Sequence, residues 1–290
     1  MLAQQIVNGS MLGSIYVLVA VAFTIAIGIL NFLNFSIPGL FMLGGMISWA
    51  MLAAGWHWTA AVATALVAAA AVALAVERLA YRRMAEGDPE IPLVSSLGFL
   101  VLLENLVLIR FGSDQQAFPA LIPDFNIRAG GLVIGGAQLI SLAVAVALVA
   151  GLSAFLKFTN AGRRVRAIAE SRETATLLGV NVSRLIPQVF VFSAAFTAVG
   201  GILFAMNYQQ ASPFMGEVIG FKGVAAMIIG GMGSIWGAIL GGMIIGLAEV
   251  LTIHFLGANV VNITVYGLLL MILIVRPQGL LGAGPSREKL

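Results

Sequence analysis

Cysteine is absent from this 290-residue chain, and Asp, Glu, Lys and Arg are absent from its first 76 residues. The first absence excludes disulfides and thiolate metal ligation. The second excludes a water-facing domain over that stretch, because soluble domains carry roughly 25% charged residues and the whole chain carries 9%. Fifteen basic and twelve acidic side chains cannot cover a soluble body of this length. No Gly-x-x-x-x-Gly-Lys-Ser/Thr run occurs, so no phosphate-binding loop is expected and any ATP hydrolysis belongs to another chain. With two histidines and no Cys, no catalytic or metal-ligating cluster presents itself, and an enzyme is the least supported class. The N-terminus lacks the basic n-region of a cleavable signal peptide, so the first apolar segment is expected to stay in the mature protein.

What is present is apolar. Hydrophobic residues make up 60% of the chain and the mean hydropathy is +1.05. Apolar stretches run over 6–31, 37–55, 58–80, 91–110, 136–156, 185–207, 217–231, 233–255 and 258–275. A bilayer crossing takes about 20 apolar residues, so the spacing predicts eight full spans plus one short or re-entrant helix at 217–231. The fold class is all-α, a single polytopic membrane domain over 1–290. The net charge of +3 does not indicate nucleic acid, because the basic residues sit between apolar segments. They fall into three blocks: Arg78, Arg82 and Arg83; Lys157, Arg163, Arg164, Arg166, Arg172 and Arg184; and Arg276, Arg287 and Lys289. The positive-inside rule puts all three in the cytoplasm, which sets the N-terminus outside and the 276–290 tail inside. The loop at 111–135 is then external, with Asp114, Asp124 and Arg128, stiffened by Pro119 and Pro123. His57, between Trp56 and Trp58, reads as part of an outer aromatic belt.

Two places interrupt the apolar runs. In Asn31-Phe32-Leu33-Asn34-Phe35-Ser36-Ile37-Pro38-Gly39, a helix is expected to stop near Asn34 and restart near Pro38, since Pro lacks an N–H and suits a first helical turn. Asn31, Asn34 and Ser36, with the freed backbone groups, would then be open to a polar ligand; a plain turn between two spans is the simpler alternative. In Gly230-Gly231-Met232-Gly233-Ser234, three glycines in four residues predict a discontinuous helix. Gly237, Gly241, Gly242 and Gly246 beyond it have the small-residue spacing of close helix packing. Ala22-Phe23-Thr24 with Gly28-Ile29-Leu30 is echoed by Ala195-Phe196-Thr197 with Gly201-Ile202-Leu203, each just ahead of one break. That is the arrangement of an inverted repeat. Ionisable groups inside apolar runs are few: Glu104 and Glu249, with Glu217 and Lys222 at the entry to the short helix. A carboxylate there must be paired, hydrated or protonated, so helix-to-helix bonding and contact with a solute both remain open.

The longest internal polar stretch runs from Thr159 to Asn181. Asn160 is the expected N-cap, 162–178 the helix, and Gly179 its stop. Its arginines could rest on anionic lipid or dock into a partner protein. The pattern Gly162-Arg163-Arg164, Arg166-Ala167, Ala169, Ala175, Leu178-Gly179-Val180 resembles the cytoplasmic coupling segment of bacterial branched-chain amino acid ABC importer permeases. The likeness extends in order along the chain: Asn8-Gly9, Gly13-Ser14-Ile15-Tyr16, Asn34-Phe35, Met42-Leu43-Gly44, Gly220-Phe221-Lys222, Gly230-Gly231-Met232-Gly233-Ser234, Gly237-Ala238, Glu249 and Arg276-Pro277-Gln278-Gly279-Leu280. The chain is most similar to the smaller, H-type permease of such systems. It departs from the family after Asn34-Phe35, where Ser36-Ile37-Pro38-Gly39 replaces the usual Ala-His-Gly, and that puts the substrate in doubt.

The resemblance implies an inner-membrane importer subunit that moves branched-chain amino acids or related small carboxylate or amide solutes. Its partners would be a second related permease, two cytoplasmic ATPases carrying ATP and Mg, a periplasmic substrate-binding protein, and membrane lipid. No cofactor is expected in this chain. The substrate pathway would use Asn31, Asn34, Ser36, Pro38, Gly39, Gly230, Gly231, Gly233, Ser234, Glu104 and Glu249. Coupling to the ATPases would use Gly162, Arg163, Arg164, Arg166, Glu170, Leu178 and Gly179. The alternatives are a secondary transporter with a proton site at Glu104 or Glu249, and a channel-like facilitator lined by small residues.

Overall fold

A computed structural model describes residues 2–30, 32–82, 90–120, 126–129 and 132–282, apart from the side chains of Arg172 and Glu173. Among them, eight helices are long and apolar enough to cross a membrane. In chain order the helices are α1 (Leu2–Leu30), α2 (Ser36–Ala53), α3 (Trp58–Val76, continued by a π-helical turn Glu77–Tyr81) and α4 (Glu90–Phe111). Then come α5 (Gly136–Phe158), two short helices α6 (Asn160–Glu170) and α7 (Arg172–Leu177), and α8 (Val182–Tyr208). The last are α9 (Met215–Gly230), α10 (Ile235–Phe255), and α11 (Val261–Val275) behind a 3-10 turn at Ala258–Val260. At 16 residues α9 is the expected short helix, spanning about 24 Å at 1.5 Å per residue.

The centre is built on α1, α2 and α8, which bury Tyr16, Phe23, Phe41 and Ala198 almost completely. α3, α4, α5 and α11 turn apolar residues outward, among them Val67, Ile109, Val146 and Ile274. In lipid, apolar surface alone does not pull helices together, so close contact relies on small residues. Gly9 faces Leu247, Gly13 faces Met243 and Gly246, and Val17 faces Gly242, so α1 and α10 run antiparallel. A Cβ at Gly246 would overlap the Gly13 backbone, and one at Gly241 would overlap the Ala226 carbonyl on α9. The small-residue helix is therefore a two-sided seam, holding α1 on one flank and α9 on the other.

The two copies of the sequence echo meet only at their starts, because α1 and α8 run antiparallel: Ser193 lies against Ala22, and Gly200 against Leu18. The Ser193 hydroxyl on α8 donates to the Ala22 carbonyl on α1 at 3.1 Å. Thr24 and Thr197, at matching places in the copies, each donate to the carbonyl four residues back.

Short strands decorate one end of the bundle, in a region the sequence reading treated as loop. β1 (Gln116–Ala117) pairs antiparallel with β4 (Gln210–Ala211), and β2 (Asn126–Ala129) with β3 (Leu132–Gly135). Pro123 and Asp124 lie outside the described residues. The opposite end carries α6 and α7, together with residues 278–282 of the tail. His57 has a structural task beyond a belt residue: its Nδ1 accepts the Thr59 N–H, so it caps α3.

The polar 159–181 segment differs from the continuous helix expected. The cap is Thr159, whose Oγ1 accepts the Gly162 N–H at 3.0 Å, with Asn160 already inside the helix. Ser171 (φ −157°, ψ 111°) then breaks the run and caps α7 by accepting from Thr174 N–H at 3.2 Å. A serine hydroxyl competing for backbone donors explains why a stretch without proline still divides. Gly179, at φ +80°, ends α7 as expected.

Candidate translocation site

Lys222 is the single Lys or Arg between Arg184 and Arg276, and it sits mid-way along α9, 5% exposed. An isolated ammonium in that setting is strongly disfavoured, so it requires an anion. Its Nζ meets Glu249 Oε1 on α10 at 2.7 Å. The other carboxylate oxygen, Oε2, accepts the Tyr16 hydroxyl of α1 at 2.5 Å. The ammonium also lies 5.9 Å from the centre of the Tyr16 ring. One carboxylate thus ties three helices together, and each of its oxygens has a hydrogen-bond donor. Sequence reasoning singled out Glu249 and placed Lys222 at the helix entry, but missed the pairing and missed Tyr16. The signal available was arithmetic: a lone cation in a long apolar stretch has Glu217 and Glu249 as its nearest choices, and 27 residues separate Lys222 from the one it uses.

The break before α2 is closed in this conformation. Asn34 and Ser36 are buried, and Asn34 Oδ1 accepts both the Ser36 N–H at 3.1 Å and the Ser36 hydroxyl at 2.7 Å. The Phe35 N–H donates to Ser96 Oγ on α4 at 2.9 Å. α2 begins at Ser36, which puts Pro38 in its first turn, where a missing N–H costs nothing. Pro38 packs on Gly216 and Gly220 of α9, and Gly39 on Leu100 and Leu103 of α4. Asn31 lies outside the described residues.

The glycine break joins other neighbours. Gly231 (φ +110°) and Gly233 (φ +85°) adopt backbone angles that favour glycine, which lets α9 end and α10 restart within five residues. Ser234 caps α10, accepting from Gly237 N–H at 3.1 Å. The carbonyls freed at Ile229 and Gly230 accept the N–H groups of Leu280 and Leu281, both at 2.8 Å. A Cβ at Gly231 would overlap Gly282 of the same tail. The structure therefore brings the 34–39 break against the first half of α9, and puts the 230–234 break at its far end under the tail. About 15 Å of helix separates Gly220 from Gly230.

Glu104 is a different case. It is 9% exposed on α4, and its Oε1 has no hydrogen-bond partner among the described residues.

On α6, Gly162, Val165 and Ile168 face the bundle, while Arg163, Arg164, Arg166 and Glu170 point out. Gly162 is fixed by space, since a Cβ there would overlap the Phe155 carbonyl and Leu156 at the end of α5. Leu177 and Leu178 follow with 82% and 77% of their surface exposed.

A membrane bundle with a broken short helix and a bare basic helix fits several transport classes, and comparison with known proteins separates them. The family described as branched-chain amino acid transport system permease component matches residues 5–275. The chain belongs to that family. It is a transport subunit and a multi-pass membrane protein. The permease is 34% identical to the high-affinity branched-chain amino acid transport system permease protein BraD of Pseudomonas aeruginosa, covering 99% of this chain and 97% of BraD. It is 35% identical to the corresponding protein LivH of Escherichia coli, over the same shares. At the level of fold alone it is similar to a chain in the structure of PsaBC from Streptococcus pneumoniae in complex with Fab. That likeness has a TM-score of 0.51 at 12% identity and covers 96% of this permease and 93% of that chain.

Proposed function

We propose that this permease is the membrane-spanning subunit of an ATP-driven importer of branched-chain amino acids in a bacterial inner membrane. The observation that carries the reading is the match to BraD and LivH over 99% of this chain and 97% of each relative. In this reading it pairs with a second, related permease. Two ATPases bind below, and a periplasmic binding protein delivers the solute from above.

The coupling surface is α6 and α7. A helix that rests on lipid buries its apolar face among the acyl chains. Here that face is already taken, with Val165 and Ile168 packed on the permease itself. What points away is Arg163, Arg164, Arg166 and Glu170, followed by bare Leu177 and Leu178. A charged rim beside an exposed apolar pair suits a protein partner. ATP-driven movement of that partner would push on α6, which Gly162 holds tightly to the end of α5.

The solute pathway would run beside α9, past Pro38, Gly39, Asn34 and Ser36 and the Lys222–Glu249 pair. The glycine break with Gly230, Gly231, Gly233 and Ser234 would serve as the cytoplasmic hinge. Purification of an affinity-tagged permease in mild detergent is the test, and ATPase chains should come with it. Recovery of the permease alone, from a strain expressing the whole operon, would remove the importer reading. Glu104 Oε1, without a hydrogen-bond partner among the described residues, favours one rival, a proton-coupled carrier, which predicts uptake driven by a pH gradient without ATP.

A further inference from the structure

Where α1 and α5 begin and α8 and α10 end, at the strand-bearing end of the bundle, lies a cavity of about 230 Å³. Its polar lining is Asn8, Gln138, Asn207 and Tyr208, and its apolar lining includes Leu12, Ile15 and Val250. It is far larger than a single water needs and smaller than drug-sized pockets, which start near ~300 Å³. No ionised side chain lines it.

The hydrogen bonds around it fix which way each amide points. Gln4 Oε1 accepts the Val133 N–H at 2.9 Å and its Nε2 donates to the Val133 carbonyl at 2.7 Å, so β3 allows this amide one orientation. Gln138 is fixed in the same way, its Oε1 accepting the Gly135 N–H at 3.2 Å. Both nitrogens then converge on Asn8 Oδ1, at 3.1 and 3.5 Å. Asn8 therefore presents its oxygen to them and keeps its Nδ2 as a donor with no acceptor among the described residues. Asn207 is the converse. Its Nδ2 donates to the Leu203 carbonyl at 2.7 Å and to Ser141 Oγ at 2.5 Å, and the Ser141 proton is already given to Ala137. Asn207 Oδ1 remains as an acceptor. The Tyr208 hydroxyl, on a residue 46% exposed, can do either.

A free donor and a free acceptor, a lining without ionised side chains and aliphatic walls together select a solute. A net anion or cation would enter without a counter-charge in the lining, which is unfavourable to the extent that the site excludes water. A neutral molecule carrying a carboxylate, an ammonium and a branched aliphatic side chain would find a partner for each part. We infer that this cavity receives the zwitterionic branched-chain amino acid on its way into the permease, Asn8 Nδ2 donating to its carboxylate and Asn207 Oδ1 accepting from its ammonium. The inference rests on the proposed function and adds the receiving site.

Because the chain has no cysteine, Val250→Cys gives a single reporter in the cavity. In the assembled complex in nanodiscs, its reaction rate with a small methanethiosulfonate should fall at least fivefold with millimolar leucine. It should not change with 4-methylpentanoate or 3-methylbutylamine, which lack the ammonium and the carboxylate respectively. Adding Asn8→Ala should raise the leucine needed for protection about tenfold. Equal protection by all three compounds, or a cysteine that never reacts, would overturn the site. So would absence of protection in a complex that imports radiolabelled leucine, and that result would leave the proposed function standing. A wild-type complex that imports no leucine would remove the proposed function and the site with it.

Discussion

Removing one member of the Lys222–Glu249 pair strands the other in an interior where neither is more than 9% exposed. Such single removals cost about 3–5 kcal/mol, whereas replacing both partners with apolar groups is often neutral. Lys222→Met and Glu249→Gln should therefore each lower the thermal midpoint of the extracted complex sharply. The double variant Lys222→Met/Glu249→Gln, which removes both charges but keeps an acceptor for the Tyr16 hydroxyl, should recover most of the loss, a non-additivity read by fluorescence size-exclusion melting. A double variant as unstable as the singles would show that the pair is not a local unit. The contrast with Glu104 shows what sequence can and cannot deliver at this scale. Both carboxylates stand out in apolar runs, and Leu102-Leu103-Glu104-Asn105 looks no different in kind from Leu247-Ala248-Glu249-Val250. Their fates diverge because a cation and a phenol reach one of them from other helices, and partners 27 and 233 residues away leave no local trace. Gln138 and Asn207 were hidden for the same reason, and Asn8 stood out only through the family likeness: each is an ordinary amide near a helix end until four elements meet.

Elements were more legible than their joints. The short helix, the Gly179 stop and the glycine break all follow from local chemistry that acts within a few residues. The division of the 160–178 segment at Ser171 does not, because a serine is tolerated in a helix unless its hydroxyl captures a nearby N–H, as it does at Thr174. The 230–234 break reads alike as a solute-lined gap or a packed corner, and the choice depends on where Leu280 and Leu281 return. On α6, reversing Arg163, Arg164 and Arg166 to Glu should leave the permease inserted at wild-type yield. It should reduce co-purifying ATPase about tenfold or more, since opposed like charges at an interface are strongly unfavourable. Full retention of the ATPases would return the arginines to a lipid-facing role.

Over the whole molecule, charge scarcity and run lengths were sufficient for an all-α bundle of eight spans with a ninth short helix, because the bilayer restricts the options so severely. Which helices form the centre was not legible. α1 and α5 are similarly apolar, yet α1 is enclosed and α5 mostly bare, a difference set by tertiary packing. The strand-bearing end collects the start of α1 and the end of α8, and the basic α6 lies opposite; we propose, from charge placement, that the first end faces the periplasm. Single cysteines at Trp56 and Gln115 should react with an impermeant thiol reagent from the periplasm, while those at Leu177 and Gln278 should be protected until the membrane is opened. Reaction at Leu177 in intact cells would invert this topology.

Reconstitution decides whether this chain moves branched-chain amino acids by ATP-driven import. The complex of this permease with its second permease and ATPases, in sealed proteoliposomes with the binding protein outside, should accumulate radiolabelled leucine only when ATP and Mg are enclosed. Uptake should be indifferent to an imposed pH gradient. Leucine accumulation driven by the pH gradient in the absence of ATP would contradict the account.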